Sequence, residues 1–337
     1  MRAARLHRTA PVAERPLVLE DVPEPEPGPG ELLVRVSVCG VCRTDLHVIE
    51  GDLPEATRPV VPGHMVVGTV ESIGAGGDGV GGFGAGERVG IAWMRGTCGS
   101  CDYCAEGSVN LCLDARFTGY HVDGGYAELA VVPAEWAYAI PAAFADEEAA
   151  PLLCAGIIGY RALRLSEVRP GQRLGLWGFG NSAHIVLQIA LARGCEVYVS
   201  SLRKEHQELA RELGAVWVGG AGELPPEELH AGILFAPAGE LVPPALRALR
   251  RGGTLACAGI HMSPIPPIDY DADLFGERTL RSVTANTRAD GVELLSEAAR
   301  IPIRPQTTLF PLEEANEALI RLKEGAINGA AVLRVAD

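Results

Sequence analysis

Lysine is nearly missing from this chain: Lys204 and Lys323 are the only two among its 29 Lys and Arg residues. With 24 prolines, that bias leaves GC-rich coding and a thermophilic host equally open. Positive charge is scarce overall, because 43 acidic residues bring the formal net charge to −14. So acidic a chain is expected to bind no nucleic acid and no anionic membrane. No stretch approaches the eighteen uninterrupted apolar residues of a membrane-spanning helix. The basic start, Met1-Arg-Ala-Ala-Arg-Leu-His-Arg8, is not followed by the apolar core of a secretory signal, so a cytoplasmic location is expected. Internal repeats and low-complexity tracts are missing too. What remains is globular in balance, with 47% hydrophobic and 21% charged residues, which excludes a largely disordered chain. Its 337 residues are enough for two domains but not several.

The chain reads in two styles. Up to about residue 135, glycine and proline punctuate short apolar runs such as Glu31–Val38, Val66–Val70 and Arg88–Ile91, with almost no helical periodicity. That pattern predicts an all-β, partly barrel-like unit. The Gly-rich stretch from Gly74 to Gly86 reads as a loop inside it. Helical character begins at Phe144–Ala150 and continues over Ala155–Leu165. From Arg173 onward strands and helices alternate. The expected strands are Arg173–Trp177, Glu196–Ser200, Val216–Val218, Gly232–Ala236, Thr254–Ala258 and Thr279–Ala285. Helices such as His184–Arg193 and His206–Leu213 end at Gly194 and Gly214, as helices with a glycine stop do. Repeated β-α-β predicts a parallel, doubly wound sheet. A helix at Leu312–Lys323 and a strand at Ala331–Val335 close the chain.

Nine cysteines, with no export signal, point to metal ligands, nucleophiles or core fillers rather than disulfides. Four of them fall within fifteen residues as Cys98-x2-Cys101-x2-Cys104-x7-Cys112. Four thiolates in a Gly-rich loop suit a closed tetrahedral Zn2+ that leaves no position for substrate, hence a structural ion. An iron–sulfur cluster, which uses similar spacings, is the alternative. A second signal is Gly178-Phe-Gly180-Asn-Ser-Ala183, a G-x-G-x-x-A run between an expected strand and a helix. Its glycines let the backbone turn tightly and approach a pyrophosphate seated on the helix N-terminus. By itself the run could be a plain turn; at the head of five more strands it reads as dinucleotide binding.

Three further segments are Cys39-Gly-Val-Cys42-Arg-Thr-Asp-Leu-His47, Pro62-Gly-His64 and Pro151-Leu-Leu-Cys154-Ala-Gly156. Together with the four-cysteine loop and the later glycine run, they resemble the zinc-dependent alcohol dehydrogenases of the medium-chain dehydrogenase/reductase superfamily. The resemblance covers essentially the whole chain. Through Gly178–His184 and Ala258–Pro264 it is nearest the bacterial branch related to cinnamyl alcohol dehydrogenases.

The resemblance implies a GroES-like, β-rich catalytic domain over residues 1–155 and 287–337, and a Rossmann domain with a doubly wound parallel sheet over 156–286. It implies that Cys42, His64 and Cys154 hold a catalytic zinc, giving two Zn2+ per chain with the Cys98/Cys101/Cys104/Cys112 site. Thr44 and His47 match a proton relay that also uses the cofactor ribose, Asp45 a carboxylate that orients His64, and Arg43 a pyrophosphate contact. Cys39 is not a ligand in this family, and Cys195 and Cys257 are expected in the core. In three places the chain departs from the family. Met65 replaces the usual glutamate after the ligand histidine, Ile158 stands where many relatives have threonine, and Gly329-Ala-Ala-Val332 lacks an arginine that touches the cofactor.

The expected activity is therefore hydride transfer between a nicotinamide cofactor and a small-molecule alcohol or aldehyde. A zinc-free quinone or enoyl reductase of the same superfamily, and a non-enzymatic nucleotide sensor, are the alternatives. The three ligand matches count against the first; Met65 and Ile158 give the second its weight. Leu53 stands where ethanol-preferring relatives place tryptophan, and Trp93 and Met94 match pocket walls, so medium-to-large primary alcohols are expected. NAD-specific Rossmann enzymes carry an acidic residue at the end of the second strand. Here that position is Ser201, followed by Arg203 and Lys204, which predicts NADP(H) in preference to NAD(H). Glu205 is expected to lie a turn into the next helix and to point elsewhere. A homo-oligomer, dimer or tetramer, completes the expectation.

Overall fold

The computed structural model describes residues 1–53, 57–75, 80–301 and 303–336. Positions 76–79 of the expected Gly-rich loop lie outside the described residues. The chain divides into one unit of residues 1–154, 286–299 and 305–337, and another of 155–285 and 300–304.

In the first unit, β1 (Arg2–Leu6) and β2 (Leu17–Asp21) form an antiparallel ribbon. The central strand is β3 (Glu31–Val41), whose Leu32, Val34, Val36 and Val38 are all buried. Apolar and β-branched residues at every second position make one fully covered face. Helix α1 (Arg43–Glu50) follows it directly. β4 (Met65–Ile73) returns antiparallel to β3, and β5 (Arg88–Ile91) pairs with β4. Between them and the next sheet strand stand the short ribbon of β6 (Met94–Gly96) with β7 (Arg116–Phe117), and the small helix α2 (Asp102–Ala105). β8 (Leu129–Pro133) pairs with β3, β9 (Tyr138–Ala139) with β5, and the helical turn α3 (Asp146–Ala149) leads to Cys154.

With the single turn of α2, helix α1 departs from the all-β expectation. Its eight residues are too few for a periodic signal, and they are set by cap chemistry at Cys42 instead.

The second unit begins with α4 (Ala155–Leu165) and carries β10 (Arg173–Trp177), α5 (Asn181–Ala192), β11 (Glu196–Ser200), α6 (Lys204–Glu212), β12 (Trp217–Gly219), β13 (Leu229–Leu234), α7 (Val242–Arg247), β14 (Leu249–Cys257) and β15 (Thr279–Ser282). All six strands are parallel, in the order β12-β11-β10-β13-β14-β15. The order reverses between β10 and β13, which makes a switch point at their carboxyl ends. The expected strand at Gly232–Ala236 instead runs Leu229–Leu234. It stops there because the N–H groups of Phe235 and Ala236 both turn to the Trp177 carbonyl, at 2.8 and 3.0 Å. Trp177 packs with Tyr198, Leu229 and Leu249 in the core. Its indole needs bare backbone beside it: a Cβ on Gly175 or Gly232 would come within 2.7 or 2.6 Å of the ring.

The chain then returns to the first unit. Helix α8 (Arg288–Ala298) is capped by Thr287 with Asp290, and β16 (Thr307–Pro311), α9 (Ala315–Glu324) and β17 (Ala330–Arg334) follow. β17 pairs antiparallel with β3 and parallel with β16, completing a sheet of order β16-β17-β3-β4-β5-β9.

The β3–β4 pairing depends on Gly68. A Cβ there would lie 2.2 Å from the Arg35 carbonyl oxygen and 2.8 Å from Val34 Cγ1, beside a register shift between Val36 and Val38. Backbone cannot step aside as a side-chain tip can. Gly68→Ala is expected to cost about 2–3 kcal/mol, read as a lower denaturant midpoint at unchanged m-value; an unchanged midpoint would contradict this packing.

Candidate active site

The site is built at the end of β3. Cys42 is extended (φ −136°) and caps α1, its Sγ accepting the Thr44 N–H at 3.3 Å while Asp45 Oδ2 accepts the Cys42 N–H at 2.8 Å. The cap holds the sulfur at the positive end of the helix, where a thiolate is favoured. His64 comes from the turn before β4. There Gly63 adopts φ +94°, and a Cβ would strike the Tyr126 ring at 2.3 Å and Cys39 Sγ at 2.8 Å. Only glycine fits, and the turn delivers a fully buried His64. Cys154 arrives from the proline-containing turn Ala150–Leu153.

His64 Nε2 lies 3.2 Å from Cys42 Sγ and 3.3 Å from Cys154 Sγ, and the two sulfurs are 4.0 Å apart. A tetrahedral zinc, with Zn–S about 2.3 Å and Zn–N about 2.0 Å, separates its ligand atoms by about 3.5–3.8 Å. Two sulfurs and one nitrogen at these spacings fit such an ion, with one position left over. Behind the histidine, Asp45 Oδ1 stands 3.1 Å from Nδ1 as a buried ion pair, off the line of an ideal hydrogen bond. It directs Nε2 toward the sulfurs. Burial pushes the Cys42 thiol up. Burial pulls His64 down, but Cys42 and Asp45 outweigh it and hold the imidazole up at about 10. Met65 takes no part in the donor set. It is fully buried over Gly40, where a Cβ would meet its Cε at 2.8 Å.

Thr44 and His47 stand three residues apart on α1, on one face. Arg43 is exposed at the first position of the helix. Leu53 is half-buried. Trp93 sets its ring edge-on to His64 at 4.9 Å between centroids, and Phe117 stacks on Trp93 at 4.8 Å. Tyr120 tilts against Trp93 at 5.8 Å and against His121 at 4.4 Å. Met94 is fully buried and Trp93 is 8% exposed; neighbours on an extended chain face opposite sides, and Trp93 is the one whose ring stands against His64. Phe117 and Tyr120 went unnoticed in the sequence. Their only signal was three aromatic-ring residues within five positions after the cysteine loop.

In that loop the four sulfurs converge. Cys98 and Cys104 are 3.9 Å apart, Cys101 and Cys104 3.5 Å, and Cys98 and Cys112 3.6 Å. These separations are far beyond a disulfide and match a closed tetrahedron of four sulfurs. Backbone N–H groups of Ser100 and Cys101 pull the Cys98 thiol down to about 6. All four lie within 4.8 Å of one another, as do the donor atoms of Cys42, His64 and Cys154. Cys39, Cys195 and Cys257 are buried outside both sets.

In the second unit Gly178 adopts φ +87° with a Cβ position 2.8 Å from Ala236 N, so the turn after β10 is tight. Gly180 caps α5, and a Cβ there would meet nothing within 4 Å. That open cradle over a helix N-terminus fits a pyrophosphate. Ala183 is fully buried. His184 is too, and burial lowers it to about 4, so it stays neutral with Nδ1 3.3 Å from the Gly180 carbonyl. Ser201 is buried just past β11, its N–H bonded to Gly219 O and its carbonyl to the Gln207 amide. Arg203 caps α6 and Lys204 opens it, both exposed. Glu205 departs from expectation. As the second helical residue it reaches back to Arg203 Nε at 3.7 Å rather than pointing elsewhere, and part of the arginine charge is answered there.

Residues 28–142 match the family of the alcohol dehydrogenase GroES-like domain, and residues 183–300 that of the zinc-binding dehydrogenases. The chain is 52% identical to a probable alcohol dehydrogenase, AdhA, of Mycobacterium tuberculosis, over 99% of this chain and 97% of that one. It is 38% identical to an alcohol dehydrogenase of Geobacillus stearothermophilus, over 96% and 97%. Among solved structures it resembles a cinnamyl alcohol dehydrogenase of Sorghum bicolor, with a TM-score of 0.89, 27% identity and coverage of 99% and 97%. No helix among the described residues is long and apolar enough to cross a membrane. The chain belongs to the zinc-dependent alcohol dehydrogenases of the medium-chain dehydrogenase/reductase superfamily.

Proposed function

We propose that this enzyme oxidises medium-to-large primary alcohols and reduces the matching aldehydes, with NADP(H) in preference to NAD(H) and two zinc ions per chain. The observation that carries the reading is the convergence of Cys42, His64 and Cys154 with Asp45 behind the histidine. When bound there, zinc supplies a Lewis acid for the alcohol oxygen, and the nicotinamide supplies the hydride acceptor. The chain does the rest. Asp45 keeps His64 in the tautomer that offers Nε2. The two thiolates set the local charge so that a deprotonated oxygen is neither trapped nor repelled. Thr44 accepts a hydrogen bond from the alcohol hydroxyl and His47 hands the proton to solvent. Trp93, with Phe117 stacked behind it, offers an apolar aromatic wall beside His64. Cys98, Cys101, Cys104 and Cys112 hold the second ion as a brace.

Support for NADP(H) is Ser201 at the position where a carboxylate would repel a 2′-phosphate, with Lys204 and Arg203 next to it. Kinetics with both cofactors and an alcohol panel tests the reading. Benzylic alcohol is expected to exceed ethanol in kcat/KM by about tenfold or more, and NADPH to exceed NADH by about tenfold in the reverse direction. Ser201→Asp is expected to erase the cofactor preference. Better use of ethanol, or of NADH by the wild type, overturns the corresponding part.

A homo-oligomer belongs to the same proposal. β15 pairs only with β14 among the described residues and is the mostly exposed edge of the six-stranded sheet. The loop from β14 to β15 exposes Ile260, Ile265, Tyr270 and Phe275. An open edge beside apolar side chains is a template for a second copy. Light scattering is expected to give a dimer or tetramer mass; a monomer at micromolar concentration would refute it.

A further inference from the structure

The first unit holds a cavity of about 220 Å³ to which neither metal-ligand set contributes a residue. Arg5 of β1 lines it together with Val22 and Pro25, and Arg95 of β6 together with Val122 and Leu129. Backbone bonds tie these segments to one another. Leu6 and Val60 exchange N–H bonds at 2.8 and 3.0 Å, and the Gly124 N–H donates to the Val61 carbonyl at 2.7 Å. Asp123, also on the lining, accepts the Val61 N–H on Oδ1 at 2.8 Å. The frame of the cavity is thus set by backbone pairing. Its lining runs on into the candidate active site: Val61 stands three residues before His64, Arg95 two after Trp93 and Val122 two after Tyr120. The volume lies below the about 300–1,000 Å³ of sites for drug-sized ligands, which limits an occupant to one ring or a short branched chain.

Two guanidiniums share this small space, and neither is fully answered. Arg95 is 13% exposed; it donates to the Val131 carbonyl and to Glu31 Oε1 at 2.6 Å. Burial, offset in part by Glu31, makes its guanidinium less basic than usual. Arg5 reaches Glu20 only at 3.5 Å, and that carboxylate also faces His7 with both oxygens at 3.1 Å. A guanidinium carries five N–H donors, so both arginines keep donors in reserve. We propose that the cavity is a binding site for a small organic monocarboxylate with an aromatic or branched aliphatic body. Arg5 and Arg95 meet the carboxylate through charge-assisted hydrogen bonds, and Val22, Pro25, Val122 and Leu129 cover the body. The surroundings select a single charge. Asp123 on the lining, with the exposed Glu24 and Glu26 of the proline-rich segment, repels a second negative charge and so disfavours phosphate. The occupant is a ligand and not a substrate: it braces β1 against the segments that lead to His64, Trp93 and Tyr120.

Fluorine NMR titration of 4-fluorobenzoate into the metal-replete full chain tests this. Saturable binding at a single site per chain is expected, with a Kd below about 1 mM. Arg5→Gln is expected to weaken it by about tenfold, the loss of one charge-assisted contact. Val122→Trp, which fills the space with a large side chain, should abolish it. Inorganic phosphate at the same concentration should fail to displace the probe. Far-ultraviolet circular dichroism and zinc content check that each variant is folded, and Arg5→Gln should turn over benzyl alcohol like the wild type. A carboxylate could instead settle at the Cys42/His64/Cys154 site, and Cys42→Ser separates the two: binding in this cavity survives it. Failure to saturate below about 10 mM overturns the inference. So does binding that Arg5→Gln and Val122→Trp leave unaltered, or that Cys42→Ser removes while those two do not. Displacement by phosphate overturns the assigned ligand class.

Discussion

One buried carboxylate organises the catalytic half of the molecule. Asp45 accepts the Cys42 N–H with one oxygen and faces His64 Nδ1 with the other, and it is 1% exposed. The first contact starts α1 at Cys42 and so fixes where that sulfur points. The second fixes which nitrogen His64 offers. Removing a charge so enclosed would strand both partners, a cost of about 3–5 kcal/mol for a broken buried pair. The surroundings are shaped to keep it there. Gly63 admits the Tyr126 ring, Gly40 admits Met65, and the β3–β4 pairing holds both ends of the constellation in register.

The same helix carries the site from its interior to its surface. Its first turn holds Cys42 and Thr44, its last turn His47, and the residue just past its glycine stop is Asp52. Eight residues thus link the buried surroundings of Cys42 to the partly exposed His47–Asp52 pair. The second unit solves a different problem by similar means. Gly178 makes the turn, Gly180 leaves the helix end bare, and the neutral, buried His184 sits one turn inside against the Gly180 carbonyl.

The sequence carried much of this because two kinds of signal were local. Cys98-x2-Cys101-x2-Cys104-x7-Cys112 and Gly178-x-Gly180-x-x-Ala183 work through spacing alone, and alternating strands and helices after Arg173 work through periodicity. Cys42, His64 and Cys154 are dispersed over more than a hundred positions, so only the resemblance could join them before the fold did. What stayed hidden depended on turns and facing. Which of Trp93 and Met94 stands beside His64 is set by one residue of strand phase. Whether Glu205 meets Arg203 is set by where α6 starts. Asp52 was invisible because its partner lies across a left-handed glycine, and Phe117 and Tyr120 because a short ribbon, β6 with β7, brings them beside Trp93.

The central claim is that Cys42, His64 and Cys154 hold a metal distinct from the one in the four-cysteine loop. Zinc-edge X-ray absorption on metal-replete protein tests it most directly, because it counts sulfur and nitrogen neighbours. One ion would have four sulfur ligands; the other would have two sulfurs, the histidine nitrogen and a light fourth atom. Averaged over both, the account predicts about three sulfurs at about 2.3 Å and one nitrogen or oxygen at about 2.0–2.1 Å. Cys42→Ser, by emptying or altering one site, should move that average. A wild-type spectrum of purely sulfur coordination, with one zinc per chain, would contradict the account.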